Sequence, residues 1–103
     1  MPVRIENKNK RTTAFLSGEI DHHAAPALRR EIDREIMENM PSELVLDFSD
    51  VTFMDSSGVG LVMGRYKIMS GFGGNIVIQN PPIQIKKVMK LSGIDRLAAI
   101  CSV

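Results

Sequence analysis

The residues best able to do chemistry in this chain lie in Phe53-Met54-Asp55-Ser56-Ser57-Gly58-Val59-Gly60. A serine hydroxyl becomes a nucleophile when a histidine base and an orienting carboxylate reach it. Ser56 or Ser57 would supply the hydroxyl, His22 or His23 the base, and an aspartate the third group. The segment does not read Gly-x-Ser-x-Gly, and nothing in the spacing brings the histidines to the serines. A serine hydrolase is therefore the weaker reading. Aspartate and serine at a helix start have a plainer use, because their oxygens accept from free backbone N–H groups. A cap needs only one such residue. Here Asp55, Ser56, Ser57 and Gly58 together leave a bare stretch of backbone, which suits a partner that must approach closely. A phosphoryl group on Ser56 would add about −1.5 to −2 charges. The helix dipole favours that charge by roughly 0.3–1 kcal/mol, and neighbouring Asp55 opposes it to a similar extent. Phosphorylation is thus expected to leave the fold nearly intact and to act on binding.

Other constellations carry less. Asp21-His22-His23 offers metal-ligating types, but adjacent side chains do not converge as histidines one helical turn apart do. No metal or cofactor is expected. Gly71-Phe72-Gly73-Gly74-Asn75 follows a helix and precedes a strand, the reverse of the order that cradles phosphate at a helix N-terminus. Lys86, Lys87, Lys90 and Arg96 lack interleaved aromatics and read as a solvated helix face. The net charge of +1 argues against nucleic-acid binding by bulk electrostatics.

The elements that must position these groups fit one domain over residues 1–103, with 44% apolar and 24% charged residues. The single Cys101 excludes an internal disulfide and fits a reducing compartment. Met1 to Lys10 lacks the apolar centre of a signal peptide, and no apolar run reaches membrane-spanning length. A cytoplasmic protein is expected.

Val3 and Ile5 alternate with Arg4 and Glu6 as in a half-buried strand; Asn7 to Lys10 suits a turn, and Thr12 to Ser17 a second strand ending at Gly18. Leu28, Ile32, Ile36 and Met40 predict a helix over 23–40, with Pro26 in its first turn and Pro41 past its end. Leu44 to Phe48 and Asn75 to Gln79 read as central strands. Between them Ser57 to Ser70 forms a crossover helix with an apolar stripe of Val59, Val62, Met63, Tyr66 and Met69. A third helix runs from Pro82 to Leu91 and stops at Gly93, and a short strand covers Leu97 to Cys101. The fold class is α/β, a small mixed and mostly parallel sheet with an N-terminal hairpin, flanked by helices. Gly60 and Gly64 each cost the second helix about 1 kcal/mol relative to alanine, so close packing against the sheet or a partner is expected there, the sheet first.

Three segments carry a family resemblance: Gly18-Glu19-Ile20-Asp21-His22-His23, Phe53 to Gly60, and Gly64-Arg65-Tyr66-Lys67. With Leu91-Ser92-Gly93-Ile94, they closely resemble bacterial anti-sigma factor antagonists of the sporulation type, which are STAS domains. The resemblance implies a binding switch with no catalysis of its own. The unphosphorylated form would bind an anti-sigma factor that is a serine kinase, releasing a sigma factor. The kinase would phosphorylate Ser56 with its own ATP, and a serine phosphatase would reverse this. Asp21 is implied in contact with the kinase, alongside Asp55, Ser56, Ser57 and Gly58. A monomer is expected when free. A stress-response antagonist and a ligand-sensing STAS module are the alternatives within the fold. The family continues into a further C-terminal helix, whereas this chain ends at Val103. Ala24 stands where relatives often carry a capping threonine, so a loosely held start of the first helix is expected.

Overall fold

A computed structural model describes residues 3–103. The hairpin pairs β1 (Val3–Lys8) with β2 (Arg11–Ile20), antiparallel, around Asn9 and Lys10 at φ of 52° and 66°. Two left-handed residues match the twist of the strands they join, so the turn is shorter than the four residues expected. Both strands accordingly run further than their apolar alternation suggests. β3 (Glu43–Met54), β4 (Asn75–Gln79) and β5 (Ala99–Cys101) add in parallel, in the order β1-β2-β3-β4-β5. The crossovers are α1 (Ala25–Asn39), α2 (Ser56–Gly71) and α3 (Ile83–Leu91), the last followed by a 3-10 turn at Ile94–Arg96. α1 ends where Met40 turns left-handed at φ 44°, before Pro41.

Each parallel strand lies beside the one before it, always advancing the same way. Right-handed crossovers then place all three helices on one face of the sheet. Burial follows that geometry. Ala14, Leu16, Leu44, Leu46, Phe48, Ile76 and Ile78 alternate toward the helices and join Leu28, Ile32, Ile36, Met69, Ile85 and Met89 in one core. The opposite face carries Phe15, with Arg4 over its ring at 4.1 Å, and Asp47.

Asp47 is 3% exposed, and burial pushes its pKa up. Hydrogen bonds from Gln79 Nε2 (2.8 Å), Ser49 Oγ (2.7 Å), the Ser49 amide (3.0 Å) and Asn80 Nδ2 (3.1 Å) outweigh burial and hold it below 3.8. Asn80 in turn accepts from the Val103 amide at 2.8 Å. The carboxylate thereby ties the ends of the paired segments of β3 and β4 to the last residue of the chain.

α2 corrects the expected stripe. Gly58, Leu61, Val62, Arg65 and Met69 are buried, whereas Val59, Met63 and Tyr66 are only half-buried. The helix is covered by α1 on one flank and by the 3-10 turn on the other as well as by the sheet, so its buried arc is wide. The glycines divide differently from expectation. A Cβ on Gly58 would clash with Met54 Cγ and lie 3.2 Å from Ile20 Cγ2, while one on Gly60 or Gly64 would meet nothing within 4 Å. Packing against the sheet explains Gly58 alone.

Two measurements follow. In chemical denaturation, Gly58→Ala should lose about 1–3 kcal/mol through overpacking against Met54, whereas Gly64→Ala should gain up to about 1 kcal/mol of helix propensity; equal effects would refute the packing distinction. Asp47→Ala removes the hydrogen bonds made to a buried carboxylate and should cost about 1–3 kcal/mol at neutral pH. Because folding lowers the Asp47 pKa, its contribution is present above the ordinary value of 3.8 and is lost as pH falls through the lower folded value. The stability gap between wild type and Asp47→Ala should therefore close in acid.

Candidate functional site

The β2–β3 ladder builds the site. β3 pairs with β4 only from Glu43 to Asp47, yet it continues to Met54 along β2 alone. Its expected end at Phe48 is therefore corrected. Ser49, Asp50, Thr52 and Phe53 are exposed, so the apolar pattern disappears while the backbone pairing persists. β2 likewise extends past Gly18, at φ 77°, with irregular register between Phe15 and Ser17 and between Gly18 and Glu19. The ladder closes with Ile20 opposite Met54, and the Asp55 amide donates to the Ile20 carbonyl at 3.4 Å.

Two aspartates thus leave the sheet side by side and do the same work. Asp55 caps α2 by accepting from the Ser57 amide at 2.8 Å. Asp21 accepts from the amides of His23 and Ala24, both at 3.0 Å, and its carbonyl accepts from the Ala25 amide at 2.9 Å. The start of α1 is accordingly held by Asp21 in place of a threonine at position 24, and the expectation of a loose start is corrected. The Ala24 amide is the main cause of an Asp21 pKa below the usual carboxylate value; slight desolvation opposes it.

Ser56 opens α2 and is exposed, Ser57 is half-buried, and Gly58 is buried beneath them. Gly58 therefore supports the turn from inside, where Met54 and Ile20 leave no room for a side chain. His22 and His23 are exposed, with ring centroids 4.1 Å apart. His22 and Ser57 line a common groove, but among the described residues no histidine nitrogen hydrogen-bonds to either serine. The nucleophile–base contact of a hydrolase is not formed. Among the described residues no three His, Cys, Asp or Glu side chains gather to hold a metal ion, and no helix is long and apolar enough to cross a membrane.

Sequence reasoning placed Arg65 in a family motif but missed its burial. It is 5% exposed, with Nε 2.8 Å from Asp33 Oδ1 in an ion pair that bridges α2 and α1. The signal was its place four residues after Leu61 and four before Met69, both buried.

With this geometry in hand, the chain can be set beside known proteins. A family model described as STAS domain matches residues 3–102. The anti-sigma F factor antagonist of Paenibacillus polymyxa is 34% identical, over 97% of this chain and 87% of the relative. The anti-sigma factor antagonist SpoIIAA in its unphosphorylated form superposes with a TM-score of 0.86 at 30% identity, over 98% of this chain and 87% of that one. The Bacillus cell fate determinant SpoIIAA in the phosphorylated form gives 0.78 at 30% identity, over 98% and 90%.

The caps make a prediction. Asp55→Ala should lower stability by about 1 kcal/mol. Asp21→Ala should speed amide exchange at the start of α1 more than elsewhere. Since folding lowers the Asp21 pKa, its effect is full above the ordinary value of 3.8 and fades as pH falls through the folded value. Uniform exchange across the molecule in Asp21→Ala would overturn its capping role.

Proposed function

The chain belongs to the STAS domain family, and from that premise we propose that it is an anti-sigma factor antagonist that works by partner switching. The observation that carries this reading is the exposed Ser56 hydroxyl at the first turn of α2, directly after the capping Asp55. In the unphosphorylated form the chain binds an anti-sigma factor that is a serine kinase and so frees a sigma factor of the sporulation type. The names of its relatives support that choice. Asp21, Asp55, Ser56 and Ser57 meet the partner, and Gly58 shapes the turn that presents them. The chain contributes a substrate hydroxyl and no catalytic group.

In the inactivating step the partner transfers the γ-phosphoryl group of its ATP to Ser56 Oγ. The new O–P bond replaces the bond to ADP, and the hydroxyl proton leaves. A serine phosphatase then hydrolyses the phosphate. The relevant compartment is the cytoplasm, with the free protein monomeric. Likeness to SpoIIAA in both its unphosphorylated and phosphorylated forms supports a switch that leaves the fold standing. At Ser56 the dipole of α2 and the Asp55 carboxylate act in opposite senses on added charge. A partner surface complementary to a neutral hydroxyl has no such compensation.

Incubation with the anti-sigma factor kinase of the same genome and ATP should add a single phosphate, mapped to Ser56 by mass spectrometry. Ser57→Ala should still be modified and Ser56→Ala should not. Ser56→Asp should bind the kinase at least about tenfold more weakly, or about 1.4 kcal/mol. Modification of Ser56→Ala at the wild-type rate would refute the site. Unchanged affinity of Ser56→Asp would refute charge as the switch.

A further inference from the structure

The outward face of α3 departs from the usual pattern of a surface helix. Ile85 and Met89 are buried and Val88 is half-buried, which fixes the side that meets the core. At about 3.6 residues per turn, Ile83, Lys86, Lys87, Lys90 and Leu91 fall within an arc of about 140° on the other side. Such a face ordinarily carries charged and polar groups. Here Leu91 is 89% exposed and Ile83 is 73% exposed, and Leu97 is exposed just beyond the 3-10 turn.

The charges among these apolar groups are of one sign and unmet. Among the described residues Lys86, Lys87, Lys90 and Arg96 take part in no ion pair. The single carboxylate between Ile83 and Leu97 is Asp95, which lies past the end of the helix. The whole chain carries a net charge of only +1, so the cationic face is a local feature. Packing it on the same face of a second copy would oppose like charges. A stable protein interface buries about 800 Å² on each partner around enclosed anchors. On this nine-residue helix the apolar side chains stand apart, with lysines between them.

We propose that the outer face of α3 is a docking surface for an anionic lipid bilayer. The lysine ammonium groups reach the lipid phosphates, while their aliphatic stems and the side chains of Ile83 and Leu91 enter the headgroup region. A fluid surface accommodates separated apolar groups that no rigid pocket encloses. Arg96 and Leu97 continue the pairing of cation and apolar group just after the helix. The contact is peripheral, held by charge and shallow apolar burial, and it requires no membrane-spanning helix. It does not depend on the modification of Ser56.

The test is cosedimentation of the full chain with vesicles of phosphatidylglycerol and phosphatidylcholine in equal parts, and with vesicles of phosphatidylcholine alone. Binding is expected to the anionic vesicles only, and it should weaken as sodium chloride is raised. Each lysine near such a surface contributes about fivefold in affinity. Lys86→Gln, Lys87→Gln and Lys90→Gln combined should therefore bind about a hundredfold more weakly. Leu91 is almost wholly exposed, so Leu91→Gln should stay folded and bind at least about threefold more weakly through lost apolar insertion. Lys8→Gln removes a charge from β1 and should bind like wild type. The proposal is overturned if anionic vesicles retain no protein, or if Lys8→Gln weakens binding as much as Lys87→Gln. It is also overturned if Leu91→Gln binds like wild type, since charge alone would then hold the chain. Retention on polyglutamate beads without retention on anionic vesicles would overturn it in favour of an acidic protein.

Discussion

The structure depends on the parallel ladder between β2 and β3. This is the longest pairing in the sheet, and it alone continues beyond β4 to Met54. Because Ile20 lies opposite Met54, the chain leaves both strands at the same height, and two aspartates enter their loops together. A change of register by one residue would turn every side chain beyond it to the other face. It would also separate Asp21 from Asp55. The irregularities near Ser17 and Gly18 therefore lie within the segment that sets the relative height of the two loops.

On this frame the polar groups divide by location. Asp21 and Asp55 sit near solvent and satisfy helix starts, where a carboxylate finds amide donors and a favourable dipole. Asp47 is buried within the sheet and requires its full set of donors from Ser49, Gln79 and Asn80. Burial of a carboxylate is tolerable only with such compensation. Arg65 is the exception, since its ion pair with Asp33 leaves Nη1 without a hydrogen-bond partner among the described residues.

Much of this was legible in the residues. Leu28, Ile32 and Ile36 marked the buried face of α1, and Pro26 and Pro41 marked its limits. Gly93, at φ 82°, ended α3 as its position suggested. The far half of β3 was not legible, because exposed Ser49, Asp50 and Thr52 interrupt the apolar pattern while Asp50, Val51, Phe53 and Met54 still pair with β2. The face of α2 was misread because a buried arginine resembles a solvent position until its acidic partner on another helix is known. Asp21 was singled out through family resemblance. Its second task, capping α1, rests on a loop geometry that no periodicity encodes.

The order of the strands has a consequence for assembly. Each strand from β2 to β5 docks beside its immediate predecessor, so no strand must be inserted between two already paired. The sheet can then grow from its N-terminal hairpin as the polypeptide lengthens, one strand–helix unit at a time. Sequence separation between partners stays close to the length of a single crossover, which keeps loop-closure entropy low at every step. A half-made chain would expose, besides the outer edge of β1, the leading edge of its newest strand, and the next segment to be synthesised is the one shaped to cover it.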